Sequence, residues 1–143
     1  MRIERFRWWH IAEVLPIEED LFGAEKWSAA MFWNELAQRN FYRVALDEEL
    51  LGYAGLATSG DEAWVQNIAV RRTAQRRGVG RRLLEELLAE AARRGIKQTL
   101  LEVAVDNAAA QRLYASYDFE PVAIRRGYYQ PSNTDALVMT RRA

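Results

Sequence analysis

The stretch RRTAQRRGVGRRLL, residues 71–84, decides how the rest of the chain is read. Two glycines, Gly78 and Gly80, stand directly before a run in which Leu83, Leu84, Leu87, Leu88, Ala91 and Ala92 recur at helical spacing, with Gly95 as its stop. The first turn of a helix leaves four N–H groups without intrahelical partners, and the positive end of the helix dipole lies there as well. Such a turn holds an anion wherever the main chain can be approached closely, and glycines permit that approach. A glycine there costs up to ~1 kcal/mol relative to alanine. Arg81 and Arg82 oppose the dipole by roughly a few tenths of a kcal/mol each. A bound phosphate removes both penalties. The spacing Gly78-Val79-Gly80 is neither the dinucleotide fingerprint nor the P-loop. On the residues alone three readings stay open: a phosphate cradle, a glycine turn with solvated arginines, and a nucleic-acid surface built on Arg71, Arg72, Arg76, Arg77, Arg81 and Arg82. Zero net charge and the lack of aromatics within the basic run count against the third.

On either side of the loop the pattern is that of one α/β domain spanning 1–143, a mixed sheet with a strand–loop–helix–strand unit at its centre. Residues 2–9 alternate as a strand, 10–22 and 27–39 read as helices with Ser28 as the cap of the second, and 41–57 form a hairpin turning at Asp47 to Glu49. Residues 63–70 are the strand that feeds the loop. Beyond the central helix, QTLLEVAV (98–105) is apolar at nearly every position, as expected of a strand covered on both faces, with Glu102 the exception. A short helix capped by Asp106 or Asn107 and two strands, 119–129 and 135–141, complete the order.

Composition bounds the chemistry. The chain has 143 residues, half of them apolar, enough for a single core. There is no cysteine, hence no disulfide or thiolate nucleophile, and the single His10 cannot build a histidine metal site, so no metal is expected. No apolar run approaches the roughly 18 residues of a membrane span or signal, so a cytoplasmic protein without membrane association is expected. Twenty acids balance twenty bases, but the signs are segregated. Glu13, Glu18, Glu19, Asp20 and Glu25 read as a solvated helix face, with attraction of a cationic peptide as the alternative.

The loop, read together with the residues downstream of it, resembles the GNAT superfamily of N-acetyltransferases. QRRGVG (75–80) matches that family's Q/R-x-x-G-x-G/A loop, and LEV (101–103), Asn107, LY (113–114) and Phe119 come after it in the family's order. KWS (26–28), NIAV (67–70), and RRGYY (125–129) with DALVM (135–139) are similar to its RimI-type branch, the ribosomal-protein alanine N-acetyltransferases. The resemblance covers nearly the whole chain. It implies the GNAT fold, a mixed, mostly antiparallel sheet of about seven strands flanked by about four helices. It also implies acetyl-CoA as cosubstrate and a protein N-terminus, that of a ribosomal protein, as acceptor. No direct nucleic-acid partner and no membrane are implied, and a monomer or weak homodimer is expected. A lysine or small-amine acceptor, or a coenzyme-binding module without turnover, are the alternatives.

The resemblance also distributes roles. Gln75, Arg76, Arg77, Gly78, Val79, Gly80 and Arg81 would wrap the coenzyme pyrophosphate, the backbone of Ile68, Ala69 and Val70 would meet the pantetheine arm, and Asn107 would contact the coenzyme while capping its helix. Glu102 would be the general base and Tyr114 the general acid. Read from position alone, Glu102 can instead be a carboxylate paired with an arginine, and Tyr114 an ordinary core tyrosine. Trp27, Tyr128 and Tyr129 are candidates for gripping the acceptor. Two positions depart from the branch's pattern. Ala104 stands where it has arginine, which bears on acceptor preference, and Asp118 stands where it has glycine, at a left-handed helix terminus.

Overall fold

The computed structural model describes Met1–Ala143. Seven strands, β1 (Arg2–Arg5), β2 (Phe41–Leu46), β3 (Leu50–Ser59), β4 (Glu62–Val70), β5 (Gln98–Ala104), β6 (Glu120–Tyr129) and β7 (Thr134–Arg142), form one sheet in the order β1-β2-β3-β4-β5-β7-β6. Helices α1 (Ile11–Phe22) and α2 (Ala29–Ala37) cover one face through Val14, Ile17 and Phe32, packed on Val44, Tyr53 and Ala69. Helix α3 (Val79–Arg93) covers the other through Leu83 and Leu87 on the β2–β4 side, and Leu84 and Leu88 on the β5 side. Helix α4 (Ala108–Ala115) joins that second layer through Tyr114.

All pairings are antiparallel except β4–β5, which is parallel and short. It runs from Glu62↔Gln98 to Trp64↔Leu100 and stops. At that point β4 carries a bulge: Val65 pairs with Leu56 and Asn67 with Gly55, so Gln66 is the extra residue. A bulge bends its strand and raises its twist. Past it, β4 stays on β3 while β5 continues on β7, and a gap opens in the middle of the sheet.

The sequence-based boundaries hold except at two places. The first strand ends at Arg5, because Trp8–His10 form a 3-10 turn in which the His10 Nδ1 accepts the Arg7 N–H at 2.8 Å. Phe6 still donates its N–H to Tyr42 O at 3.0 Å, but the residues from 7 to 9 leave the ladder, and Trp8 and Trp9 are exposed. The second helix is Ala29–Ala37, shorter than 27–39, since the Ser28 hydroxyl accepts the Met31 N–H as its cap and Arg39 at φ 60° ends it.

Three helices end the same way, with a left-handed residue whose N–H reaches back three residues while the next N–H reaches back five. Gly95 with Ile96 closes α3, Arg39 with Asn40 closes α2, and Asp118 with Phe119 closes α4. At α4 the Phe119 N–H donates to the Tyr114 carbonyl at 3.2 Å, and the two rings pack edge to face at 6.0 Å. Asp118, at φ 69°, thus occupies a glycine position. We expect Asp118→Gly to stabilise the protein by about 1 kcal/mol, which raises Tm by about 3 °C at this chain length. A lower Tm in a thermal unfolding scan would contradict the assignment.

Candidate active site

The loop between β4 and α3 is held from below. Val79, the first residue of α3, is buried in the core, the Gln75 side chain donates to the Val70 carbonyl at 3.1 Å, and Arg76 (φ 66°) and Gly78 (φ 80°) take left-handed conformations. The consequence is a run of amides aimed outward: none of the N–H groups from Arg76 to Arg81 donates to an acceptor of the chain, and the first to do so is Arg82, to Gly78 O at 3.0 Å. Gly78 is explained by its φ. Gly80 is not, because a Cβ there would meet only Val70 Cγ2 at 3.5 Å and Leu113 Cδ2 at 3.8 Å, ordinary contacts. What Gly80 leaves free is surface. Of the six arginines, Arg71 is tied to Leu50 O and Glu49, Arg72 to Asp20, and Arg81 to the Tyr117 hydroxyl at 3.2 Å, while Arg76, Arg77 and Arg82 have no partner in the chain.

The gap between β4 and β5 begins beside this loop. Arg71 N–H donates to Leu51 O, so the alternation of an antiparallel ladder pairs Ala69 with Tyr53 and turns the N–H and C=O of Ile68 and Val70 away from β3, toward the gap. Ala69 points its peptide into the ladder and its methyl group into the core.

Glu102 and Tyr114 approach the gap from opposite faces of β5. Leu101 and Val103 pack with Tyr114 under α3 and α4, and Glu102, alternating with them, points to the α1/α2 face. There it borders a cleft of about 350 Å³ lined also by Trp27, Met31, Trp64, Gln66, Tyr128 and Tyr129. The side chain of Glu102 is 16% exposed; Oε1 lies 3.4 Å from Arg125 Nη1, and Oε2 is buried with no hydrogen-bond partner. The arginine pairing expected from position alone is present, and the same carboxylate borders the cleft. Tyr114 is 6% exposed and its hydroxyl has no partner in the chain. Burial, and to a lesser degree Tyr129, pushes its phenol well above the usual range, so it stays protonated at every working pH. Tyr129 is itself pushed up to about 12, by burial first and the Glu102 charge second.

Asn107, not Asp106, caps α4, its Oδ1 accepting the Ala110 N–H at 3.2 Å. The rim of the cleft is closed on one side where Glu25, between α1 and α2, accepts from the Ser132 hydroxyl in the β6–β7 loop. Met31, Trp64, Gln66 and Gln130 also line the cleft and were not legible as site residues, since only the bulge and the loop contact bring them there. A larger groove of about 620 Å³ runs between α1 and the start of α2, sharing Trp27 with the cleft but lacking Glu102. The smaller cleft is the one that holds Glu102 and adjoins the gap. The acidic stretch is mostly exposed as expected, with one correction: Glu18 is 1% exposed and belongs to the core, because α1 turns it inward with Val14 and Ile17.

Residues 4–119 match the acetyltransferase (GNAT) family. The chain belongs to that family. It is an acetyl-CoA-dependent N-acetyltransferase. Among its relatives, the N-alpha-acetyltransferase RimI of Mycobacterium tuberculosis is 42% identical, over 87% of this chain and 82% of the relative. The ribosomal protein bS18-alanine N-acetyltransferase of Salmonella typhimurium is 39% identical, over 79% and 78%. The crystal structure of the ribosomal-protein-S18-alanine N-acetyltransferase of Escherichia coli superposes with a TM-score of 0.89 at 33% identity, covering 99% of this chain and 92% of that one. The residues present fit the coenzyme. Six outward amides at a helix N-terminus, with Gly80 leaving the main chain open, have the chemistry a pyrophosphate requires. For Gly80→Ala the expected outcome is an unchanged or raised Tm, since alanine suits the helix and its methyl group fits. Acetyl-CoA Kd should rise about tenfold, or ~1.4 kcal/mol. Calorimetric titration checks it, and an unchanged Kd would place the pyrophosphate away from Gly80.

Proposed function

We propose that the chain, acting as one acetyltransferase domain over residues 1–143, acetylates the N-terminal α-amine of a protein in the cytoplasm, the acceptor being the N-terminal alanine of a small-subunit ribosomal protein. It works as a monomer or weak homodimer, without nucleic acid or membrane. The observation that carries this reading is the Glu102 carboxylate at the edge of an aromatic-lined cleft, with Tyr114 on the other side of the same strand. The names of the Salmonella and Escherichia relatives support the choice of acceptor.

Energetics favour an α-amine. At neutral pH an amine with pKa ~8 is already ~10% unprotonated, a cost of ~1.4 kcal/mol, whereas a lysine near 10.4 costs ~4.6 kcal/mol. One carboxylate is a sufficient base for the first. Acetyl-CoA supplies the acetyl group as a thioester whose sulfur is the leaving atom. Around it, the outward N–H and C=O groups of Ile68 and Val70 orient the pantetheine arm and its carbonyl, the amides from Arg76 to Arg81 hold the pyrophosphate with Gln75 bracing the loop, and Asn107 fixes the end of α4 beside it. Trp27, Tyr128 and Tyr129 hold the acceptor's first residues. Glu102 takes the proton of the ammonium group, which frees the nitrogen lone pair for attack. Tyr114 donates a hydrogen bond to the departing sulfur. Complete transfer from a phenol near 10 to a thiolate near 8.5 is uphill by ~2 kcal/mol, and burial makes it steeper.

Loss of the base in Glu102→Gln should lower kcat/KM by roughly 10²–10⁴ at pH 7, with part of the loss recovered at pH 9, where the acceptor amine is neutral without help; activity equal to the parent across that range would remove Glu102 from the chemistry. Tyr114→Phe should lose most of kcat and little coenzyme affinity, equally at all pH values between 6 and 9, because the phenol does not titrate there. The acceptor is tested by thiol release from acetyl-CoA with a short peptide beginning in alanine, against the same peptide blocked at its N-terminus and carrying an internal lysine. Release with the free terminus alone is expected; release with the blocked peptide would move the assignment to lysine.

A further inference from the structure

The acceptor cleft has two walls that belong to different parts of the chain. One is the segment between α1 and α2, with Glu25, Trp27 and Met31; the other is the bulged part of β4, with Trp64, Val65 and Gln66. Behind the cleft, in the core, one side chain touches both. Glu18 projects from α1, is 1% exposed, and accepts from Asn67 Nδ2 at 2.8 Å through Oε1. Asn67 is the residue immediately after the bulged Gln66. Oε2 of Glu18 is buried with no hydrogen bond of good geometry, as is the Tyr53 hydroxyl of β3 that faces it, and the Trp27 amide lies close enough to stabilise its charge. No cation pairs with Glu18. The titratable groups turned toward it are Tyr53 from β3 and Tyr42 from β2, the latter donating to Glu35 of α2 at 2.8 Å.

We propose that Glu18 is a positioning residue for the acceptor: as a carboxylate it draws the Asn67 amide and the Trp27 backbone toward one centre, and so sets the distance between the two walls of the cleft. The inference rests on the cleft being the acceptor site. All three polar groups nearest the carboxylate, the Asn67 amide that bonds it, the Tyr53 hydroxyl and the Trp27 N–H, are donors, so the ionised form offers each an acceptor and the protonated form gives up acceptor capacity. Burial opposes the charge and raises the group to about 7. The two effects meet near neutrality. On acidification through pH 7 the carboxylate gains its proton, its hold on Trp27 and β4 loosens, and the acceptor binds less well while the pyrophosphate loop, beyond the C-terminal end of β4, is untouched.

The test compares the parent enzyme with Glu18→Gln, whose amide imitates the protonated acid. Acceptor KM, kcat and acetyl-CoA Kd are measured from pH 6 to 8.5 with the alanine peptide. Titration of the acceptor amine is common to both proteins, so the ratio of their acceptor KM values isolates Glu18. That ratio should be about fivefold at pH 8, the factor that ~1 kcal/mol represents, and should fall toward one at pH 6, with coenzyme Kd the same in both. Asn67→Ala, which keeps the carboxylate and removes its partner on β4, should raise acceptor KM without touching coenzyme Kd, and serves in place of Glu18→Gln should the latter not fold. A ratio that does not change with pH, or a loss of coenzyme affinity by the same factor, would overturn the proposal by making Glu18 a packing residue. A measurement without any acceptor separates this from the function itself: the Trp27 backbone amide resonance of the unliganded protein should titrate with a midpoint near 7 in the parent and not in Glu18→Gln. Its titration in a protein that does not use the peptide would leave Glu18 standing and sink the choice of acceptor; its failure to titrate would sink Glu18.

Discussion

Everything in the site depends on the place where β4 and β5 stop pairing. A sheet with continuous hydrogen bonding separates its two faces completely, and a carboxylate on one face and a phenol on the other cannot serve the same atom. Here the parallel ladder ends at Trp64↔Leu100, and Glu102 stands two residues further on, at the mouth of the gap. The bulge at Gln66 makes the divergence possible, and its surroundings hold it in register. Gly55, opposite Asn67, has no side chain because the Tyr42 ring lies over it; a Cβ would run into that ring. Tyr42 is in turn held by Glu35, and Asn67 by Glu18. The polar groups buried under the α1/α2 layer are thus concentrated at the bulge in the middle of the sheet.

That concentration costs stability, and the cost has a direction in pH. Glu18 binds its proton more tightly folded, near 7, than unfolded, near 4.5. Between those values the native state carries a proton that the unfolded chain has released, so stability falls as pH rises from about 4.5 to 7 and is level above. An apolar residue at 18 would avoid the loss. A buried carboxyl at this position is therefore a charge the fold accommodates beside the cleft rather than one that holds the core together.

The fold was largely legible because its signals are local. Alternation and helical spacing found seven strands and four helices, Ser28 and Asn107 announced their caps, and Gly95 announced a helix end. Arg39 and Asp118 end helices in the same left-handed way, yet neither carries the glycine that makes such an end visible. The free amides of the loop were legible for the same local reason, since they are a property of the helix start and not of the tertiary fold. The cleft was only partly so. Glu102 stood out as a charge in an apolar strand, and aromatics at 27, 128 and 129 were natural candidates. Gln66, Met31 and Glu18 were not, because a bulge, a contact between loops and the inward turn of one glutamate are consequences of register and packing across residues far apart in the chain.

Ala104 shows how a departure from a family pattern is absorbed. Register places it in one row with Ala136 of β7 and Arg125 of β6, all three on the face that carries Glu102. Ala136 is fully buried, and both alanines are short. A long side chain at 104 would occupy the space over this row. With methyl groups there, Arg125 can lean across the sheet from its edge strand, past the Tyr128 ring at 5.4 Å, and bring its guanidinium to 3.4 Å from Glu102. The cation that accompanies the carboxylate therefore comes from the half-exposed edge of the sheet, not from the neighbouring turn of the same strand. The small residues of this row thus make room for a pairing between Arg125 on the edge strand and Glu102 in the middle of the sheet.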